Sequence, residues 1–225
     1  CETSGEEMNH LQALFPMIEK ALGDAGISKK ELELIAVSTG PGSFTGIRIG
    51  MAAARTMAQA LGLPMAAVPT LESFVYAERT SAPEDGEALE QSAHKEALSG
   101  DPIVVCPMLD ARRKQVYAAA YIIENAARGA DGGYREIVSA GAYDVSGFLA
   151  LAVKAAEKEH AALIRMYGDG SDSYASAVSE AAASCSVDIE YALRSSRYQS
   201  AENVLMMAHA MAQRGDTVSC NEVKP

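Results

Sequence analysis

The sequence has no two cysteines placed two residues apart. Cys1, Cys106, Cys185 and Cys220 are scattered over 225 residues, a spacing that argues against a zinc site and a disulfide framework and fits reduced thiols. No apolar run reaches the roughly 18 residues of a membrane span. The acidic opening Cys1-Glu2-Thr3-Ser4-Gly5-Glu6-Glu7 has neither the basic region nor the apolar core of a signal peptide. A cytoplasmic protein without membrane contact is expected. Positive charge is also short: 19 Lys and Arg against 30 Asp and Glu give a formal net charge of -11. That balance repels a phosphate backbone, so a general nucleic-acid grip is disfavoured unless basic residues cluster on one face. Ser43 with His10, or Asp110 with His94, could be imagined as catalytic sets. Neither a Gly-x-Ser-x-Gly elbow nor a His-Glu-x-x-His pair supports a peptidase.

What the sequence does have is a junction. Leu34-Ile35-Ala36-Val37 reads as a short buried strand, stopped by Gly40, Pro41 and Gly42. Both glycines permit positive φ or a close backbone approach, and Pro41 forces Gly40 out of the α region. Beyond Thr45, Gly46, Gly50, Ala54 and Ala58 recur every fourth residue, so one face of the next helix carries almost no side chain and can lie close to a neighbour. A Walker loop is excluded, because five residues separate Gly40 from Gly46 and Ile47-Arg48 follows instead of Lys-Ser or Lys-Thr. The dinucleotide pattern is only partly met, with Thr45 where its third glycine belongs. Backbone N–H groups at a helix N-terminus favour an anion, and Arg48 stands close by. Spacing alone favours a tight strand-to-helix turn over such a site.

In chain order, Leu11, Leu14, Phe15, Ile18 and Leu22 predict a helix over about residues 8 to 22, widened by Ala13, Met17 and Ala21, kinked at Pro16 and ended by Gly23 and Gly26. A strand at about 33 to 38, a helix to Leu61, a strand at Pro64 to Val68 and a helix capped by Thr70-Leu71-Glu72-Ser73 follow. A polar stretch from Thr80 to Asp101, with room for a short helix around Ala88 to Leu98, marks a domain boundary. Three strands come next (103 to 109, 115 to 123, 134 to 140), then a helix (145 to 159) and a strand (162 to 167). The loop Gly168-Asp169-Gly170, a helix to Ser184, a strand at 187 to 189 and a helix at about 201 to 213 complete the pattern. The first half reads αβαβα and the second βββαβαβα. The expected organisation is an N-terminal subdomain (1–79), a polar linker (80–101) and a C-terminal subdomain (102–225), a duplication whose first copy lacks its initial strands. A chain cut from a longer product is the expectation.

Two βββαβαβα halves are the pattern of the α/β actin-like ATPase, or ribonuclease-H-like, fold. The stretch from Ser38 to Gly50, read with Leu109-Asp110-Ala111-Arg112-Arg113-Lys114-Gln115-Val116-Tyr117-Ala118, closely resembles the two signatures of the bacterial TsaB (YeaZ) family. His10 before Leu14-Phe15-Pro16 and Gly168-Asp169-Gly170 also fit, and the resemblance spans about residues 8 to 215. It implies a non-catalytic subunit in the synthesis of threonylcarbamoyladenosine next to the anticodon of tRNAs that read codons starting with adenine. It further implies a TsaD-like catalytic paralogue as partner, a TsaE-like ATPase reached through the complex, and tRNA met indirectly, and it leaves homodimer, heterodimer or both open. It assigns no cofactor to this chain, with ATP or ADP admitted in the complex. Catalytic relatives hold metal with two histidines one helical turn apart; here Leu14 stands four residues after His10, while His94, His160 and His209 stand alone, so neither metal ligands nor catalytic residues are expected. The alternative is a stand-alone nucleotide-binding or glycoprotease-like hydrolase of the same superfamily.

The expected site residues fall in three groups. The glycine-rich loop comprises Gly40, Pro41, Gly42, Ser43, Phe44, Thr45, Gly46 and Arg48. A partner interface is expected from Leu14, Met17, Ile47, Gly50, Met51, Ala54 and Ala58, because two helices with wide apolar faces exceed what one sheet face covers. The second motif contributes Asp110, Arg112 and Arg113, read either as an RNA-facing basic patch or as a solvated turn between strands. Met206, Met207 and Met211 stand at helical spacing and fit core or interface packing.

Overall fold

The structure, a computed structural model, describes residues 10–80, 102–124 and 133–223. In chain order its elements are α1 (His10–Ala25), β1 (Ile35–Gly40), α2 (Phe44–Leu61), β2 (Met65–Pro69), α3 (Thr70–Thr80), β3 (Ile103–Asp110), β4 (Gln115–Ile123) and β5 (Tyr134–Asp144). Then follow α4 (Val145–Lys158), β6 (Leu163–Tyr167), the short α5 (Asp169–Ser173), α6 (Ala175–Ser184), β7 (Asp188–Tyr191) and α7 (Ala201–Gln213). The expected helix at 88 to 98 and nearly all of the polar stretch at 80 to 101 lie outside the described residues. Two compact units emerge: unit 1 is Cys1–Val68 with Val204–Pro225, and unit 2 is Pro69–Asn203.

In unit 1, β1 pairs with β2. Ile35 N–H donates to the Pro64 carbonyl at 3.1 Å and Thr39 Oγ1 to the Val68 carbonyl at 3.3 Å, so the partners advance together as they do in parallel strands. Val37, Met51, Ala54, Ala58, Met65 and Val223 form the core of this unit. Val218 exchanges both backbone hydrogen bonds with Met65, each 2.9 Å. Helix α1 runs on through Pro16 and closes where the sequence predicts: Gly26 takes φ +67°, Gly26 N–H donates to Gly23 O, and Ile27 N–H donates to Leu22 O at 3.0 Å. That is a left-handed glycine cap with two carbonyls satisfied. None of the described side chains of α1 is fully buried.

Unit 2 carries a five-stranded sheet in the order β5-β4-β3-β6-β7. β3, β4 and β5 are antiparallel neighbours, whereas β6 and β7 run parallel to β3. This is the ribonuclease-H-like βββαβαβ order that the sequence pattern predicts, but the last helix of that pattern, placed with residues 102–225 in the sequence analysis, passes into unit 1 at Val204. Val104, Cys106 and Met108 on β3 join Val116, Ala118, Ala120 and Ile122 on β4 beneath Phe148, Leu149 and Ala152 of α4 and Val178 of α6. Asp144 starts α4 by accepting from Ser146 N–H at 3.2 Å and Gly147 N–H at 3.0 Å. The helix expected to run on to Ser184 is broken at Tyr174 into α5 and α6.

The other face of that sheet is covered by α3, which the sequence reading had grouped with residues 1–79. The division at Val68 has a physical cause. Phe74 packs on Tyr167 with ring centroids 5.6 Å apart, and Tyr76 meets Tyr134 edge-on at 6.2 Å. Tyr134 donates its hydroxyl to Glu72. Tyr167 donates to Glu78 at 2.6 Å, and the same carboxylate lies 3.5 Å from Arg165, whose other side reaches Glu190 at 3.0 Å. Arg165 is 3% exposed, so its charge depends on both carboxylates being present.

Candidate functional site

The glycine junction sits in unit 1. Gly40 ends β1 with φ +107° and a cis bond to Pro41. A Cβ on Gly40 would stand 3.0 Å from Ile47 Cδ1. Gly42 uses none of this freedom: its φ lies outside the left-handed range, and an added Cβ would meet Ile47 at an ordinary 3.7 Å. Of the two glycines, Gly40 is the one that requires its residue type. Gly40→Ala is therefore expected to destabilise the chain by on the order of 1 to 3 kcal/mol, and Gly42→Ala by a few tenths. Urea denaturation of the two variants side by side checks this, and equal midpoints would refute it.

Ser43 caps α2, its Oγ accepting from Gly46 N–H at 3.3 Å, and its carbonyl accepts from Ile47 N–H at 2.8 Å. A Cβ on Gly46 would meet the Ser43 side chain at 3.4 Å. Thr45 is exposed, and Phe44, 69% exposed, lies under the Arg48 guanidinium at 3.9 Å. Arg48 is thus stacked on an aromatic face.

The expected partner interface divides. Met51, Ala54 and Ala58 are 3%, 8% and 1% exposed and belong to the core of unit 1, which corrects their placement at a surface. The small stripe turns inward because β1, β2 and Val223 take up its far half. Leu14, Met17, Ile47 and Gly50 are half-buried, and a Cβ on Gly50 would meet nothing within 4 Å. Phe15 is 48% exposed.

The second motif forms the turn between β3 and β4 in unit 2. Asp110 points inward: its Oδ1 accepts from Arg112 N–H at 2.8 Å and from the Tyr174 hydroxyl at 3.0 Å. Its own N–H donates to Asp169 Oδ1 at 3.3 Å, which ties the second motif to Gly168-Asp169-Gly170. Partial burial and then the bond to Asp110 raise the Tyr174 pKa. Next to it, Asp172 accepts from Arg197 at 3.0 Å and from Tyr198 at 2.5 Å. That bond, more than burial, raises the Tyr198 pKa. The sequence reading passed over Tyr174, Asp172, Arg197 and Tyr198. The signal available was a loop bearing Arg194, Arg197 and Tyr198 directly after a short parallel strand, where open α/β sheets gather polar side chains.

Among the described residues no group of three or more His, Cys, Asp or Glu is arranged to hold a metal ion, and no helix is long and apolar enough to cross a membrane.

Residues 6–158 match the family model described as TsaD: tRNA N6-adenosine threonylcarbamoyltransferase. The chain belongs to the TsaD family. Its likeness to the TsaB (YeaZ) members is direct. The tRNA threonylcarbamoyladenosine biosynthesis protein TsaB of Bacillus subtilis is 33% identical over 117 residues, 52% of this chain and 42% of that protein. An uncharacterized protein of Mycobacterium tuberculosis is 35% identical over 159 residues, 70% of this chain and 60% of its own length. The chain thus spans about half the length of these curated relatives. The solved structure of YeaZ from Pseudomonas aeruginosa superposes with a TM-score of 0.62 at 23% identity, covering 98% of this chain and 85% of that one. A second Pseudomonas aeruginosa structure, of an uncharacterized protein with similarity to peptidase YEAZ, gives a TM-score of 0.65, also at 23% identity, over 96% and 82% of the two chains. At that identity the structures show the shared TsaD-type, actin-like fold.

Proposed function

We propose that this chain serves tRNA threonylcarbamoyladenosine synthesis as a non-catalytic subunit that docks on a TsaD-like catalytic paralogue. The observation carrying this reading is the apolar surface left open in unit 1. Phe44 is 69% and Phe15 48% exposed, while Leu14, Met17 and Ile47 are only half covered. Large aromatics that stay in water on two helices of one unit are typical anchors of a protein interface. The TsaB relative supports the pathway, and Leu14 standing four residues after His10 supports the absence of catalysis. The glycine loop would then brace the start of α2 and present Phe44. A TsaE-like ATPase would join through the catalytic partner, and a homodimer would use the same face.

Phe15→Ala with Phe44→Ala is expected to leave the melting temperature unchanged, since neither ring is in a core. It is expected to weaken association with the paralogue at least about tenfold, about 1.4 kcal/mol. Sedimentation of the mixed proteins reads this directly. Wild-type affinity in the double variant would sink the docking assignment, and threonylcarbamoyl transfer by the purified chain alone would sink the non-catalytic one.

A further inference from the structure

Positive charge is scarce in this chain, and much of it faces the chain's own acids: Lys20, Lys29, Arg135, Arg165, Arg197 and Arg214 each pair with a carboxylate. The turn Arg112-Arg113-Lys114 is different. Arg112 lies 3.7 Å from Asp110 yet is 88% exposed. Arg113 and Lys114 are exposed and pair with no carboxylate among the described residues.

The backbone here is also unusual. All three residues are left-handed, with φ +68°, +54° and +61°, a conformation that side chains with a Cβ resist. The surroundings impose it. Asp110 holds the Arg112 amide, Gln115 N–H donates to Arg112 O at 2.9 Å, and Val145 N–H donates to Lys114 O at 3.2 Å. The Asp110, Asp169 and Asp172 carboxylates at this edge are each engaged by the chain's own donors, while three consecutive cations are held outward on a fixed turn. β3, β6 and β7 run parallel and end here. At the same edge Tyr198 keeps 46% of its surface in water.

We infer that the Arg112-Arg113-Lys114 turn is a pre-formed grip for the phosphodiester backbone of RNA. The inference rests on reading the chain as part of a tRNA-modifying assembly and adds a direct contact to it. Arginine forks fit phosphate oxygens, and an exposed phenol ring offers a stacking face that an acidic peptide would not use.

The test is fluorescence anisotropy of a labelled tRNA anticodon stem-loop with the full chain, titrated with salt. Arg112→Gln/Arg113→Gln/Lys114→Gln is expected to lower affinity at least about tenfold at ~50 mM salt and to flatten the log–log salt slope by about 2. Arg113→Asn/Lys114→Asn, a residue type at home in the left-handed region, is expected to show the same direction of loss with an unchanged melt. Lys30→Gln/Lys154→Gln/Lys158→Gln removes equal charge elsewhere and is expected to bind nearly as wild type. No RNA binding by the wild-type chain, or an equal loss in the elsewhere-neutralised variant, overturns the grip. So does a labelled oligoglutamate peptide that binds the turn when RNA does not. Sedimentation with the paralogue stays unchanged in the glutamine triple. Failure of the wild-type chain to bind its paralogue would defeat the proposed function and leave the RNA result standing.

Discussion

Gly168→Ala is expected to destabilise unit 2 by on the order of 4 kcal/mol, combining backbone strain with overpacking. Gly168 has φ 84° and ψ 162°, a region open in practice to glycine alone. A Cβ there would stand 2.3 Å from the Met108 carbonyl oxygen, which is strand backbone in the middle of the sheet and cannot move aside. Gly170 has the second constraint without the first, a Cβ at 2.7 Å from the same oxygen, so Gly170→Ala should fall on the order of 2 kcal/mol. Gly133→Ala, where an added Cβ meets nothing within 4 Å, is the control and should be near neutral. Urea denaturation followed by circular dichroism ranks the three. A Gly168→Ala midpoint equal to the control would mean that the loop does not lie against β3. The same variant should push Asp169 away from the Asp110 amide and so loosen the second motif.

Ala54→Glu is expected to unfold unit 1. Its position is 8% exposed, within a core of six buried residues. A carboxylate there would have no partner, and the larger side chain no room, for a loss on the order of 3 to 5 kcal/mol. Ala54 packs within the cluster that joins α2 to β1, β2 and Val223, so limited proteolysis should open cleavage within residues 10–68 while unit 2 persists. Ala52→Glu, on the exposed side of the same helix, should leave the digestion pattern unchanged. A folded Ala54→Glu protein deficient only in partner association would return this position to the interface.

The sequence made the elements legible wherever local chemistry decides them. Gly26 and Gly62 end their helices in left-handed caps, and the apolar runs of β3 and β4, buried along most of their length, mark the sheet. What it could not decide was which partner consumes an apolar face. The spacing of Gly46, Gly50, Ala54 and Ala58 says that something approaches α2 closely, and a spacing cannot tell a neighbouring chain from β1, β2 and Val223. Helix α3 follows the same logic. Its apolar face is evident, but only the cross-strand positions of Tyr134 and Tyr167 show that it lies on the second sheet. At the candidate site, Asp110 and Arg112 were visible through their motif. Tyr174, which meets Asp110 from 64 residues away, belongs to no local pattern.

Unit 1 is assembled from two separate stretches, with all of unit 2 inserted between Val68 and Val204. Met65 forms an antiparallel bridge with Val218, and the core containing Val37 is closed by Val223. Unit 2 is one continuous segment whose contacts can form as soon as it leaves the ribosome, whereas closing the long loop to Val218 carries an entropy that must be met before those contacts form. Synthesis runs from the N-terminus, and domains usually fold in that order. Here the order is inverted: α1 and α2 precede unit 2 and wait, apolar faces uncovered, until Val218 and Val223 follow it. During that wait Val37, Met51 and Met65, which Val223 covers in the folded unit, are open to any hydrophobic surface nearby, so a nascent chain stalled after Asn203 should be the species that chaperones capture.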